Sequence, residues 1–113
     1  MSAEFFRGVT AAQNTNNCTP MQVPGDCEIS LYASGPKSGT WGATVNFWEE
    51  RGDGGLALIA SAILTQAGPY ADGSGNRVYD NKNYMVNGGS RFFADVTSVT
   101  GTIPAPGLYA EGK

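Results

Sequence analysis

The amino-acid sequence predicts an all-β protein, an antiparallel β-sandwich or barrel with an irregular N-terminal arm. Three observations lead there. Glycine supplies 16 of the 113 residues and proline six more, so glycine stands near twice its ordinary share of about 7%, a composition that favours turns over helices. Several short segments alternate apolar and polar side chains, the period of a half-buried strand. No stretch sustains the 3.6-residue apolar period that a helix requires. A hydrophobic share of 41% against 15% charged residues separates the chain from disordered compositions and predicts a packed core.

Residues 1–27 are read as the arm. Phe5 and Phe6 precede Gln13-Asn14-Thr15-Asn16-Asn17 and two prolines, with no sustained period. The sandwich domain is expected over residues 28–113. Its first strand is residues 28–33, where Ile29, Leu31 and Ala33 alternate with Ser30 and Tyr32, and Ser34-Gly35-Pro36-Lys37-Ser38-Gly39 is expected to end it. Residues 42–50 give the clearest strand, with Ala43, Val45 and Phe47 on one face and Thr44, Asn46 and Trp48 on the other. Arg51-Gly52-Asp53-Gly54-Gly55 reads as a turn that needs positive backbone dihedrals. The continuous apolar run of residues 56–65 suits a strand or a short helix, and its flanking glycines favour the strand. Residues 68–83, rich in Gly, Asn and Asp, read as loop, with a brief strand over 84–86 before Asn87-Gly88-Gly89 turns the chain. Residues 91–100 alternate again with a β-branched bias. Pro104 and Pro106 break any continuation, leaving residues 108–113 as a tail or a short edge strand.

Composition also narrows the chemistry. There is no histidine, which removes the commonest proton-transfer group and metal ligand. No catalytic set, cofactor site or metal site is expected. The net charge is −3, and Arg7, Lys37, Arg51, Arg77, Lys82, Arg91 and Lys113 are scattered, which argues against nucleic acid as a partner. The longest apolar run is far short of a membrane span. The opening Met-Ser-Ala-Glu-Phe-Phe-Arg has neither a basic leader nor an apolar region, so synthesis in a cytoplasm is expected. Cys18 and Cys27 could close a ten-residue loop or remain free thiols; a reducing compartment favours the second and an extracellular particle the first. The sequon Asn17-Cys18-Thr19 carries no weight without a secretory signal.

Four groups of residues imitate sites. Glu49, Glu50 and Asp53 sit together as a carboxylate pair for glycoside hydrolysis would, but adjacent residues of a strand face opposite ways, and a solvated strand end explains them. Asp72-Gly73-Ser74-Gly75-Asn76, with Asp80, spaces oxygens as a calcium loop does, yet Arg77 and Asn83 stand where that loop needs glycine and glutamate. Arg51-Gly52-Asp53 spells a cell-adhesion tripeptide that a glycine-rich hairpin explains as well. Among the aromatics, Phe47 and Phe92 belong to the core. Trp41, Trp48, Tyr70, Tyr79 and Tyr84 could instead make a sugar platform or a protein contact. Trp48 is the residue expected at an interface, with Trp41 beside it. Phe5 and Phe6 either bury against a neighbouring subunit or fold back on their own sandwich.

Residues 38–101 resemble a pattern of small β-sandwich virion proteins of tailed bacteriophages. The resemblance rests on Ser38-Gly39-Thr40-Trp41 leading into the strand 42–50, the turn 51–55, the apolar strand 56–64, Gly68-Pro69-Tyr70, and the strand 91–101 ending Val96-Thr97-Ser98-Val99-Thr100-Gly101. After Gly101 the pattern departs, with prolines where a closing strand is expected. The resemblance implies a head decoration or cement protein in the virion. It would be homo-oligomeric and bound to the major capsid protein or other virion subunits, with no enzymatic activity. The alternative reading is a carbohydrate-binding or host-attachment module using exposed Trp and Tyr.

Overall fold

In the computed structural model, which describes residues 3–71 and 77–113, β4 (Trp41–Glu50) shows why the chain folds as it does. Its alternation sends Trp41, Ala43, Val45 and Phe47 inward and leaves Thr44, Asn46 and Trp48 on the outer face. It pairs antiparallel with β5 (Leu56–Thr65) on one side and β8 (Arg91–Gly101) on the other. The intervening turn is closed by Gly54 N–H donating to the Arg51 carbonyl at 2.9 Å, with Gly54 at φ 87°, a conformation that costs glycine little. A two-residue strand, β2 (Met21–Gln22), completes a four-stranded sheet in the order β2-β8-β4-β5.

The second sheet has five strands in the order β1-β9-β3-β7-β6, formed by β1 (Ala3–Val9), β3 (Cys27–Pro36), β6 (Tyr70–Ala71), β7 (Arg77–Val86) and β9 (Leu108–Gly112). All pairings are antiparallel. The two sheets pack face to face as a sandwich and do not close into a barrel. β5 lies opposite β7 at one side, and β1 opposite β2 and β8 at the other. Between them sits one core, with Phe5, Leu31, Val45, Phe47, Leu64 and Phe92 fully buried.

Four expectations change. The expected arm is tied into both sheets over its described residues: β1 pairs with β9, β2 pairs with β8, and Gln13 exchanges both backbone hydrogen bonds with Val96 at 3.0 Å. Adjacent strand residues face opposite sides, and a bulge at Phe5 evades that rule, since Glu4 pairs with Glu111 and Phe6 already with Ala110. Both phenylalanines therefore face inward, Phe5 with its ring 5.8 Å from that of Phe47. Residues 77–86, expected as loop apart from 84–86, form the full ten-residue β7. The end of the chain is no tail or edge, because β9 lies between β1 and β3.

β3 also runs past its expected end through Ser34, Gly35 and Pro36. Gly35 makes room there: a Cβ would stand 2.6 Å from the Trp41 ring. Trp41 Nε1–H donates to the Pro36 carbonyl at 3.1 Å.

Truncating Phe5 to alanine is expected to cost about 3–5 kcal/mol, as for a well-packed core aromatic, measured by chemical denaturation. A loss below about 1 kcal/mol would mean that β1 is not part of the cooperative unit.

Candidate functional site

Sheet edges are where strands offer unpaired backbone, and natural sheets blunt them with charge, bulges or brevity. Three of the four edges here are blunted. β1 carries Glu4 and Arg7 and is irregular at Phe5 and Gly8; β2 and β6 are two residues long, and where β6 stops at Val78 and Tyr79 the edge passes to β7, which carries Asp80 and Lys82. The fourth edge, β5, is ten residues long and reads Leu-Ala-Leu-Ile-Ala-Ser-Ala-Ile-Leu-Thr, with no charge, glycine or proline. A bulge at Ile59 interrupts it, since Ala60 pairs with Phe47 and Leu58 with Trp48. Residues 60–65 then run in regular register. Leu58 is 53% exposed and Ile63 68% exposed; Met85 on β7, at the same side of the sandwich, is 70% exposed.

The outer face of this sheet continues the surface. Leu58, Trp48 and Phe93 form one cross-strand row. Beneath it Asp95, nearly buried, accepts from Trp48 Nε1–H at 3.1 Å and from Asn46 Nδ2–H at 2.8 Å, and Ser61 Oγ–H donates to Asn46 Oδ1 at 2.7 Å. The network fixes the Trp48 ring, and Arg91 stands over the Phe93 ring at 5.3 Å while pairing with Glu50 at 3.5 Å.

The outer face of the five-stranded sheet carries a groove of about 690 Å³ lined by Arg7, Tyr32, Ser34, Arg77, Tyr109 and Glu111, among others. Register sets it out: Arg7, Tyr109, Ser34 and Tyr79 fall in one cross-strand row. Tyr32 stacks on Tyr79 at 5.7 Å and meets the edge of Tyr109 at 6.3 Å. Arg7 lies over the Tyr109 ring at 4.8 Å and pairs with Glu4 at 2.6 Å. Tyr109 O–H donates to Glu111 at 2.7 Å, and burial together with that bond pushes its phenol up to about 12. Arg77 is held by Ser34 Oγ at 3.0 Å and the Gly107 carbonyl at 2.7 Å. Burial pulls its guanidinium below its usual value.

Of the residues expected at an interface, Trp48 is on the outer face and half-buried, whereas Phe5, Phe6 and Trp41 are core residues with 1%, 7% and 3% exposure. Extending the alternation of β4 back one step places Trp41 inward; for the phenylalanines no sequence signal marks the bulge. Cys18 and Cys27 are free thiols. Cys18 packs against β8, its Sγ near the Ala94 N–H, while Cys27 opens β3 in the other sheet. The acidic group at the turn is dispersed, with Glu50 pairing with Arg91 and Asp53 Oδ1 accepting from Gly55 N–H at 2.9 Å. Residues 72–76 of the calcium-like loop lie outside the described residues, and Asp80 is engaged by Lys82 at 3.0 Å. Among the described residues no three metal-ligating side chains converge. Leu58, Ile63, Arg77, Tyr32 and Tyr109 were not singled out by sequence reasoning, because edge position and cross-strand register are properties of the sheet. No protein-family model and no curated protein matches the chain.

Two outcomes test these surfaces. Asp95→Ala leaves the Trp48 and Asn46 donors without their acceptor and is expected to cost about 1–3 kcal/mol by denaturant titration. Tyr109 stays neutral in the folded protein to a higher pH than in the unfolded chain, whose tyrosines ionise near 10. Its contribution is therefore complete below pH 10 and lost as pH rises towards 12. Phenolate absorbance should show a late-ionising component that Tyr109→Phe removes.

Proposed function

We propose that the protein is a structural virion component, a decoration or cement subunit of a tailed-phage head. It works by contact and associates with further copies and with shell subunits through the β5 side of its sandwich. The observation that carries this is β5 itself: an uncharged, apolar edge, regular over residues 60–65, in a fold whose other described edges are short or carry charge. In a soluble monomer such an edge is a liability, and in an assembly it is a joint, because an added strand satisfies its backbone groups and covers Leu58 and Ile63. The row Leu58, Trp48 and Phe93 widens that joint with the large, rigid side chains that dominate interface energetics. Asp95, itself held by Asn46, immobilises Trp48 and so lowers the entropy that association would otherwise remove. The resemblance of residues 38–101 supplies the setting, a phage head.

Heads of the encoding virus assembled without this protein are expected to take it up in fixed stoichiometry and to resist heat better once loaded; heads that ignore it would overturn the virion reading. Independently, sedimentation of the purified protein should show an oligomer that Ile63→Lys converts to monomer. Surface substitutions of this kind cost little stability, within about 0.5 kcal/mol, so the thermal midpoint should hardly move. An Ile63→Lys protein as oligomeric as the parent would remove β5 from the interface.

A further inference from the structure

Arg77 in the tyrosine groove has a chemistry that the packing of the sandwich does not explain. Every other basic side chain of the groove is matched: Arg7 by Glu4, and Lys113 by Glu111 at 3.2 Å. Arg77 is half-buried, and among the described residues no carboxylate comes within ion-pair distance of it. Its bonds go to two neutral acceptors, the Ser34 hydroxyl and the Gly107 carbonyl. Among the described residues these engage Nε and one Nη2 hydrogen and leave three of its five N–H donors for the groove. Holding a partly desolvated cation against neutral acceptors is unfavourable unless something else supplies the counter-charge. Ser34, 1% exposed, fixes the guanidinium in place.

We propose that this groove is a binding site for a singly charged acidic saccharide of the uronic acid class, its carboxylate on Arg77 and its ring against Tyr32 and Tyr109. A guanidinium presents paired donors that match a carboxylate. The tyrosines add a rigid wall with an apolar face and a polar rim, and about 690 Å³ is ample for a sugar. The other end of the groove is polar. Glu111, its charge met by Lys113 at 3.2 Å, keeps carboxylate oxygens there as acceptors suited to sugar hydroxyls. The site lies on the outer face of the five-stranded sheet, away from β5, so its failure would leave the proposed assembly role untouched.

The test is titration of the full chain with glucuronate, glucose and acetate, followed by amide and side-chain NMR shifts. Glucuronate is expected to bind saturably at the groove, about tenfold or more tighter than either glucose or acetate. Arg77→Gln should erase that margin with the fold intact. If Arg77→Gln does not fold, Arg77→Lys, which keeps the charge but loses the paired donors, should weaken glucuronate binding severalfold. Acetate binding as tightly as glucuronate would mean an anion site only and overturn the saccharide assignment. So would glucuronate affinity that either folded variant leaves unchanged, or shifts that map elsewhere on the protein.

Discussion

Five residues near the end of the sequence, Leu108–Gly112, hold the five-stranded sheet together. β9 sits between β1 and β3, so the backbone groups of three strands are satisfied through it. Leu108, Ala110 and Gly112 face the core, and Gly112, having no side chain, leaves the space that Met21 and Phe5 fill. Remove that strand and β1 loses its partner, Phe5 loses its pocket, and the four-stranded sheet loses part of the layer it packs on. The pairing of Ala3 with Gly112 spans nearly the whole chain, so its loop-closure entropy must be met by contacts already made between β3, β4, β5, β7 and β8.

Much of the architecture was legible in the sequence. The alternation of β4 and β8 and the glycine turn at residues 51–55 state their structure locally, and the apolar run of β5 was resolved by its neighbours. What escaped has a common cause. In β7 the inward positions Val78, Asp80, Lys82, Tyr84 and Val86 do alternate in burial, but Asp80 and Lys82 neutralise each other there and give a strand the composition of a loop. In β1 the bulge at Phe5 breaks the period on which recognition depends. β9 contains a glycine and follows two prolines, and only its two partners make it a strand. The all-β sandwich followed from the elements that carry their own pattern, while the role of both termini followed from pairing across the chain.

The candidate surfaces were less legible for the same reason. Trp48 could be placed on an outer face from alternation alone, yet its significance comes from alignment with Leu58 and Phe93, three strands brought side by side. Likewise Arg7, Tyr32, Arg77 and Tyr109 are spread over four strands and converge only through register. Charge separates the two faces. One sets Leu58, Trp48 and Phe93 around a buried acid, Asp95, that accepts two hydrogen bonds, with the Arg91–Glu50 pair at its margin. The other concentrates three basic and two acidic side chains around tyrosines. A sandwich of this size thus presents two chemically distinct walls from two sheets that share one core.

Because Ala3 lies directly across from Gly112, and β1 borders the side of the sandwich opposite β5, the described ends of the chain meet at one corner. A peptide or protein domain fused at either end would project from that corner and leave the β5 edge unobstructed. The geometry suits fusion, with cargo carried outward on one side and the β5 side left clear.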